Sequence, residues 1–382
     1  MVSFTLLKKY FSLALLVLCC GCGGGGGGGG VSEVEVVDFS PYAGQKIQSV
    51  NSWYVINSTP PFGPRDHASL IKVNNRIHLS GGFYRGPSSY QDYWVSDDYG
   101  VNWTLIHGSP SPLMNDLVYP ILYSNTNIPG SYARFSFYDS FYWLIDESTW
   151  YSSDGIIWNK NASMDGDVNG AVDLFNVNFQ GVRYSIDPEN NLIWNNNPNF
   201  KRSDNRQINI NFRTSRGAVV YPQGAYLYIA GGVHDNYGLD SNGKKILLNQ
   251  EFNNFIWRSL DGVIWKRIVD KNGQDAHLPW LNIEWPCAVN DDDGGVWLIG
   301  GYDFIQNKNV SDVWYTADGI NWIKYEDAIV GGTVSALFPR HATACVFDEV
   351  NRRIISIAGK GGLNPDNDSA FVTKDIIAIP IP

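Results

Sequence analysis

Cysteine is scarce in this chain. Cys19, Cys20 and Cys22 crowd one stretch near the N-terminus, and only Cys287 and Cys345 follow. Two cysteines make no disulfide framework, so stability must come from an ordinary hydrophobic core. Long apolar runs are missing too. Phe11 to Leu18, preceded by Lys8 and Lys9, has the length of a signal-peptide apolar region. It is too short for a membrane-spanning helix, which takes about 20 residues. Charged residues make up only 17% of the chain, no basic run occurs, and the formal charge is −10. That balance argues against nucleic acid as a partner. No stretch sustains a helical period. The 6 histidines show no metal-ligand spacing, so neither a metal nor another cofactor is expected.

What is present is aromatic and turn-forming: aromatics reach 14%, among abundant Asn, Gly and Ser. This composition suggests extracellular all-β structure. After Cys22 comes an unbroken glycine tract, Gly23 to Gly30, which cannot hold one backbone conformation and reads as a flexible tether. The leader resembles a bacterial lipoprotein signal, in which a small residue precedes the cysteine that is acylated. Gly21-Cys22 meets that requirement, with Cys20 as the alternative. The resemblance implies a signal peptide over 1–22, lipidation at Cys22 and a tether and linker over 23–48. It places the protein in the bacterial cell envelope, at the outer membrane or cell surface, held to the membrane only by its N-terminal lipid.

The main signal is a repeat. Ser152-Ser-Asp-Gly-Ile-Ile-Trp158, Ser259-Leu-Asp-Gly-Val-Ile-Trp265 and Thr316-Ala-Asp-Gly-Ile-Asn-Trp322 share one pattern, and Ser96-Asp-Asp-Tyr-Gly-Val-Asn-Trp103 is the same with one insertion. Arg202-Ser-Asp-Asn205 is a worn copy. Asp-Gly is a hairpin-turn signal, and the hydroxyl and carboxylate can bond backbone groups of the turn. The following Trp offers a large apolar face to a neighbouring unit. Asp98, Asp154, Asp261 and Asp318, with Trp103, Trp158, Trp265 and Trp322, are therefore read as structural.

Ahead of these turns lie apolar strands ending in glycine pairs, Gly81-Gly82, Gly231-Gly232 and Gly300-Gly301, with Gly359 in a fourth copy. Small residues, Ala68, Ala218, Ala288 and Ala342, open a preceding strand. These elements resemble the kelch repeat of galactose-oxidase-like β-propellers, with hairpins similar to Asp-boxes. The resemblance covers 49–382 and implies an all-β, six-bladed propeller with units at 64–112, 118–163, 168–211, 213–270, 284–328 and 338–382. Tyr184-Ser185 stands at the glycine-pair position of the third unit. Trp53 matches the Trp of the outer strands, so an N-terminal strand is expected to close the ring. Ile376 to Ile381 is the alternative outer strand.

In this architecture, loops leaving the second strand and loops leading into the first share one end. That end collects Arg65, His67, Arg216, Arg340 and His341, and after the glycine pairs Tyr84, His234, Tyr302 and Asp303. Arginines near one axis can bind a carboxylate through paired N–H donors, or tie neighbouring units together. His67 and His341 are read as register equivalents, each before an alanine. Residues 233–252 read as a long loop, of a length often functional. Asn290-Asp-Asp-Asp-Gly-Gly295 is read as a tight turn rather than a calcium loop. Cys287 and Cys345 come out about four residues apart in register. At ~3.3 Å per residue that exceeds the ~7 Å Cα limit for a bridge, so two free buried thiols are predicted. The expected function is a monomeric, non-catalytic module that binds protein or glycan at the cell surface. The alternative is a carbohydrate-active enzyme resembling N-acetylneuraminate epimerase, a sialic-acid mutarotase.

Overall fold

The computed structural model describes residues 34–39, 46–48, 53–84, 88–90, 92–108, 134–138, 141–145, 149–154, 157, 159–161, 175–180, 182–187, 192–195, 206–207, 216–253, 255–262, 264–278, 282–326, 339–361 and 372–381. Cys20 and Cys22, Trp158 and the worn turn at 202–205 lie outside the described residues.

The described structure is all-β, in six sheets of four or more strands and two smaller ones. Each larger sheet is an antiparallel meander. The first runs Ser69–Val73, Arg76–Ser80, Tyr93–Ser96, Thr104–His107, and the second Arg134–Tyr138, Phe141–Ile145, Thr149–Ser152, Asn159–Asn161. The third holds Phe175–Phe179, Val182–Asp187, Leu192–Asn195 and Arg206–Gln207. The fourth holds Arg216–Gln223, Tyr226–Leu239, Ile256–Ser259 and Trp265–Val269. The fifth holds Cys287–Asn290, Val296–Ile299, Val313–Thr316 and Ile323–Glu326. The sixth places Ala344–Asp348, Arg353–Gly361 and Val372–Pro380 beside the N-terminal strand Tyr54–Asn57. First strands of consecutive sheets are neighbours, and Ala344–Asp348 also neighbours Ser69–Val73.

Hydrophobic cores lie between consecutive sheets. Trp265 packs with Phe179 of the third sheet, Trp322 with Tyr221 and Tyr228 of the fourth, and Trp103 with Ile355 and Ile376 of the sixth. Trp53, on the N-terminal strand, sits among Trp297, Val313 and Tyr325 of the fifth. Trp103, Trp265 and Trp322 thus fill the space against the preceding sheet, and Trp53 does so for the sixth. Ile376 to Ile379 belong to the third strand of that sheet, and Tyr54–Asn57 pairs outside it, Tyr54 opposite Ala378.

The turns carry one hydrogen-bond pattern. Ser96 Oγ donates to Asp98 Oδ1 at 2.9 Å, Ser152 to Asp154 at 2.8 Å, Ser259 to Asp261 at 3.0 Å and Thr316 to Asp318 at 3.1 Å. Each carboxylate then accepts backbone N–H groups further along the turn, as Asp318 Oδ1 does from Ile320 and Asn321. Asp291 Oδ1 accepts from Gly295 N–H at 2.7 Å, making 291–295 a turn between two strands.

Several expectations change. The backbone ladder sets Ser69, Val219, Cys287 and Ala344 in one register, each opposite the residue before the glycine pair or its equivalent Ala358-Gly359. The alanines of the sequence reading are therefore not equivalent. Ala342 is a left-handed residue with φ 51°, and its equivalents are His67 (51°), Gly217 (76°) and Trp285 (50°). His67 thus matches Ala342, while His341 matches Asp66. Cys345 falls one residue from the equivalent of Cys287, not four, on a neighbouring first strand. Their Cα atoms are 6.1 Å apart and the two form a disulfide, which corrects the expectation of free thiols.

Tyr184-Ser185 lies inside strand Val182–Asp187, not at its end. The linker supplies two strands, both parallel additions at sheet edges. Val34–Val36 pairs with Trp265–Val269 and Lys46–Gln48 with Ile323–Glu326. Arg258 clamps Glu35 at 2.8 and 3.0 Å, and this bond holds the carboxyl below its ordinary range despite partial burial.

Candidate functional site

The glycine pairs bring the site together. Gly300 and Gly301 have φ 65° and 118°, and a Cβ on Gly301 would stand 2.4 Å from Ile283 Cγ2. Only glycine lets the chain leaving the second strand lie this close to the chain leading into the first. Beside the fifth sheet the two then pair in the small three-stranded sheet: Ile283–Glu284 with Tyr302–Asp303, and Tyr302–Asp303 with Lys308–Asn309. Arg340–His341 pairs with Lys360 and Gly361, and Asp66 bridges Phe83.

The left-handed residues are linked through their backbones. His67 N–H donates to Ala342 O at 3.0 Å, and Ala342 N–H to Trp285 O at 3.1 Å. Positive φ is costly for side-chain-bearing residues and persists where surrounding bonds over-determine it. Here it aims two rings into one cluster. Trp285 stacks on His341 at 5.3 Å and meets His67 edge-on at 5.6 Å. Tyr302 lies 5.2 Å from His341, and Tyr302 and Trp285 both contact Phe304. Sequence reasoning missed Trp285. Its signal was available, since it holds the register of His67 two residues before the first strand.

His341 is 3% exposed, and its Nδ1 donates to Asn309 Oδ1 at 2.6 Å. Burial, helped by the charges of His67 and Lys360 and opposed by Asp66, lowers its pKa to about 3. His78, buried in the first sheet beside Tyr93, is also lowered to about 3, chiefly by burial. An unfolded histidine takes up its proton near ~6.5. Between about pH 6.5 and 3 the unfolded chain therefore binds more protons than the folded one, and stability falls as pH drops through that window. Unfolding free energies from urea titrations should decline from pH 7 to pH 5 by up to about 1.4 kcal/mol per pH unit for each of the two groups. The slope should flatten in His78→Phe; an unchanged slope in that variant would refute neutral burial.

The arginines take another course. Arg65 is fully buried and forms a two-pronged pair with Asp92, at 2.6 and 2.7 Å, under the ring of Tyr90. Arg340 is fully buried and bonds Asp375 at 2.9 Å. The two are register equivalents: Arg65 also donates to Gly81 O and Arg340 to Ala358 O, each at 2.9 Å. Both guanidinium groups tie the start of a sheet to its third strand and face no open site. Arg216 starts the fourth sheet with its backbone opposite Val233; its side chain lies outside the described residues. Tyr84 is half-buried, 6.4 Å from Tyr90. Burial raises Tyr90 to about 12.

Two surfaces flank the aromatic cluster. The first is a cleft of about 530 Å³ whose lining includes Asn282, Asp303, Lys308 and Asn309. Asp303 Oδ1 accepts from Ile305 and Gln306 N–H at 2.9 and 2.8 Å, fixing the loop. The second is the segment read as a loop over 233–252. It is a two-stranded ribbon, the continuation of Tyr226–Leu239 paired with Lys245–Phe252. Its turn is closed by Asp240, which accepts from Asn242 and Lys244 N–H. His234 sits in it opposite Glu251. Tyr237 and Leu247 are paired and exposed on the ribbon, Leu239 is 72% exposed and Leu248 64%. Phe252, at its base, lies 6.1 Å from Phe304, joining the ribbon to the cluster.

Among the described residues no group of three or more His, Cys, Asp or Glu is placed to hold a metal ion, and no helix is long and apolar enough to cross a membrane. Neither a protein-family model nor a curated protein sequence matches the chain.

Proposed function

We propose that this chain is a lipid-anchored, extracytoplasmic β-propeller of kelch type that acts as a non-catalytic binding module for glycan or protein. The ring is supported by the neighbour order of the six first strands, which returns from the sixth to the first, and by cores that sit between sheets. The Cys287–Cys345 disulfide suits an oxidising compartment outside the cytoplasm. The observation that carries the binding reading is the continuous surface of ribbon, aromatic cluster and cleft. It joins exposed apolar area to a few convergent polar groups, the usual composition of a recognition site.

The mutarotase alternative draws less support. A carboxylate clamp for an acidic sugar was its main attraction, and Arg65 and Arg340 are committed to Asp92 and Asp375. A glycan array and affinity capture, run beside a sialic-acid anomerisation assay, test the reading. Binding without turnover is expected, and Leu239→Ser with Leu247→Ser should weaken capture of any protein ligand. Measurable anomerisation would overturn it.

A further inference from the structure

We propose that the cleft of the fifth sheet binds a neutral, polyhydroxylated ligand, a sugar residue of a glycan, with Asp303 as its central acceptor. The inference rests on the binding-module reading and names its ligand class. Asp303 is 93% buried by its 7% exposure, yet it lines the cleft. Its Oδ1 is occupied by the two loop N–H groups, and Oδ2 carries no hydrogen bond among the described residues. Oδ2 keeps contact with the open cleft and takes its donor from whatever fills it. A hydroxyl of a ligand in the cleft would supply that donor.

The rest of the lining fits the same chemistry. Gln306 and Asn309 offer amides, which can both donate to and accept from hydroxyl groups. Asn309 is oriented: its Oδ1 is taken by His341, so its amide N–H groups are left to face a ligand acceptor. Charge decides between sugar classes. Asp312 is paired with Lys324 at 2.9 Å, and Asp303 is set against Lys308 on the same wall, so the cleft carries no net charge of either sign. An acidic sugar would bring its carboxylate to Asp303 with no arginine to offset it. A bare cation would meet Lys308 and too few carboxylates for a calcium shell. A neutral sugar meets neither obstacle. Ile283 and Ile305 supply the apolar patches on which a sugar's C–H faces can rest.

The test is calorimetric titration of the purified full chain with galactose-, glucose- and mannose-terminated oligosaccharides, and with sialyllactose. At least one neutral probe should bind, and Asp303→Asn should weaken it about tenfold or more, the scale of one lost hydrogen bond to a charged group. Asparagine keeps Oδ1 for the loop N–H groups, so thermal unfolding should not move. Should that variant fail to fold, Gln306→Ala tests the same wall, because the backbone N–H that Asp303 uses is retained. Glycan binding that ignores both substitutions, or that is confined to sialyllactose, would overturn the cleft assignment and leave the binding module standing. If no oligosaccharide binds while protein capture succeeds, the ligand class is wrong and the module reading survives on the ribbon. If neither occurs, both readings fall.

Discussion

Arg65→Ala should cost about 3–5 kcal/mol of folding stability, the usual effect of removing one partner from a buried ion pair. The substitution leaves Asp92, fully buried, without its two-pronged donor and takes the cation from beneath Tyr90. Against a typical total of about 5–15 kcal/mol, the loss is large enough that much of the protein should be unfolded at 37 °C. Arg340→Ala should behave alike through Asp375, whose side chain is 8% exposed. Urea denaturation followed by fluorescence of the Trp-rich core measures both. A ligand-clamp role predicts the reverse, with stability kept and binding lost. Arg65→Ala unfolding within about 1 kcal/mol of the parent would reinstate that role.

Removing the Cys287–Cys345 bridge should cost about 2–4 kcal/mol, since it closes a long loop. The two cysteines are 58 residues apart and join first strands of neighbouring sheets. The bridge therefore restrains the unfolded chain across an inter-sheet core, where Cys287 packs with Trp297 and Ile299. Cys287→Ala with Cys345→Ala, or reductant added to the parent, should lower the thermal midpoint by several degrees. In the oxidised protein neither thiol should react with an alkylating reagent under denaturing conditions. Full alkylation of both without reductant would contradict the pairing.

Local chemistry was readable from the chain, and long-range register was not. Asp-Gly turns and glycine pairs depend on neighbours within a few residues, and those features are present where sequence placed them. The disulfide was lost because Ala342 resembles the other strand-opening alanines in type, yet it stands two residues before the ladder position of Ala344 while Ala288 stands one residue after the equivalent Cys287. The arginines were misjudged for a different reason. Their partners lie 27 and 35 residues downstream at matching ladder positions, Asp92 before Tyr93, which faces Ser80, and Asp375 before Ile376, which faces Ile357. An acid at that position, combined with an arginine four residues before the first strand, is the signal that separates a structural arginine from a ligand-binding one. The fifth sheet has Ile283 at the arginine's place, and there the acid, Asp312, turns to Lys324. The ribbon at 233–252 was hidden by its polar tip and by a bulge beside Tyr237 that breaks simple alternation.

The three N-terminal strands also dictate an order of events. Val34–Val36, Lys46–Gln48 and Tyr54–Asn57 emerge first from any machinery that makes or exports the chain, yet their partners are near residues 268, 325 and 377. Tyr54–Asn57 therefore has nowhere to settle until Val372–Pro380 has appeared. Folding of this kind is slow, because distant ends must meet before either is rewarded. Until each pairing is made, the edge of its sheet stays open, and the unfinished protein is prone to aggregate. Tyr54–Asn57 is thus a strand made early and paired late.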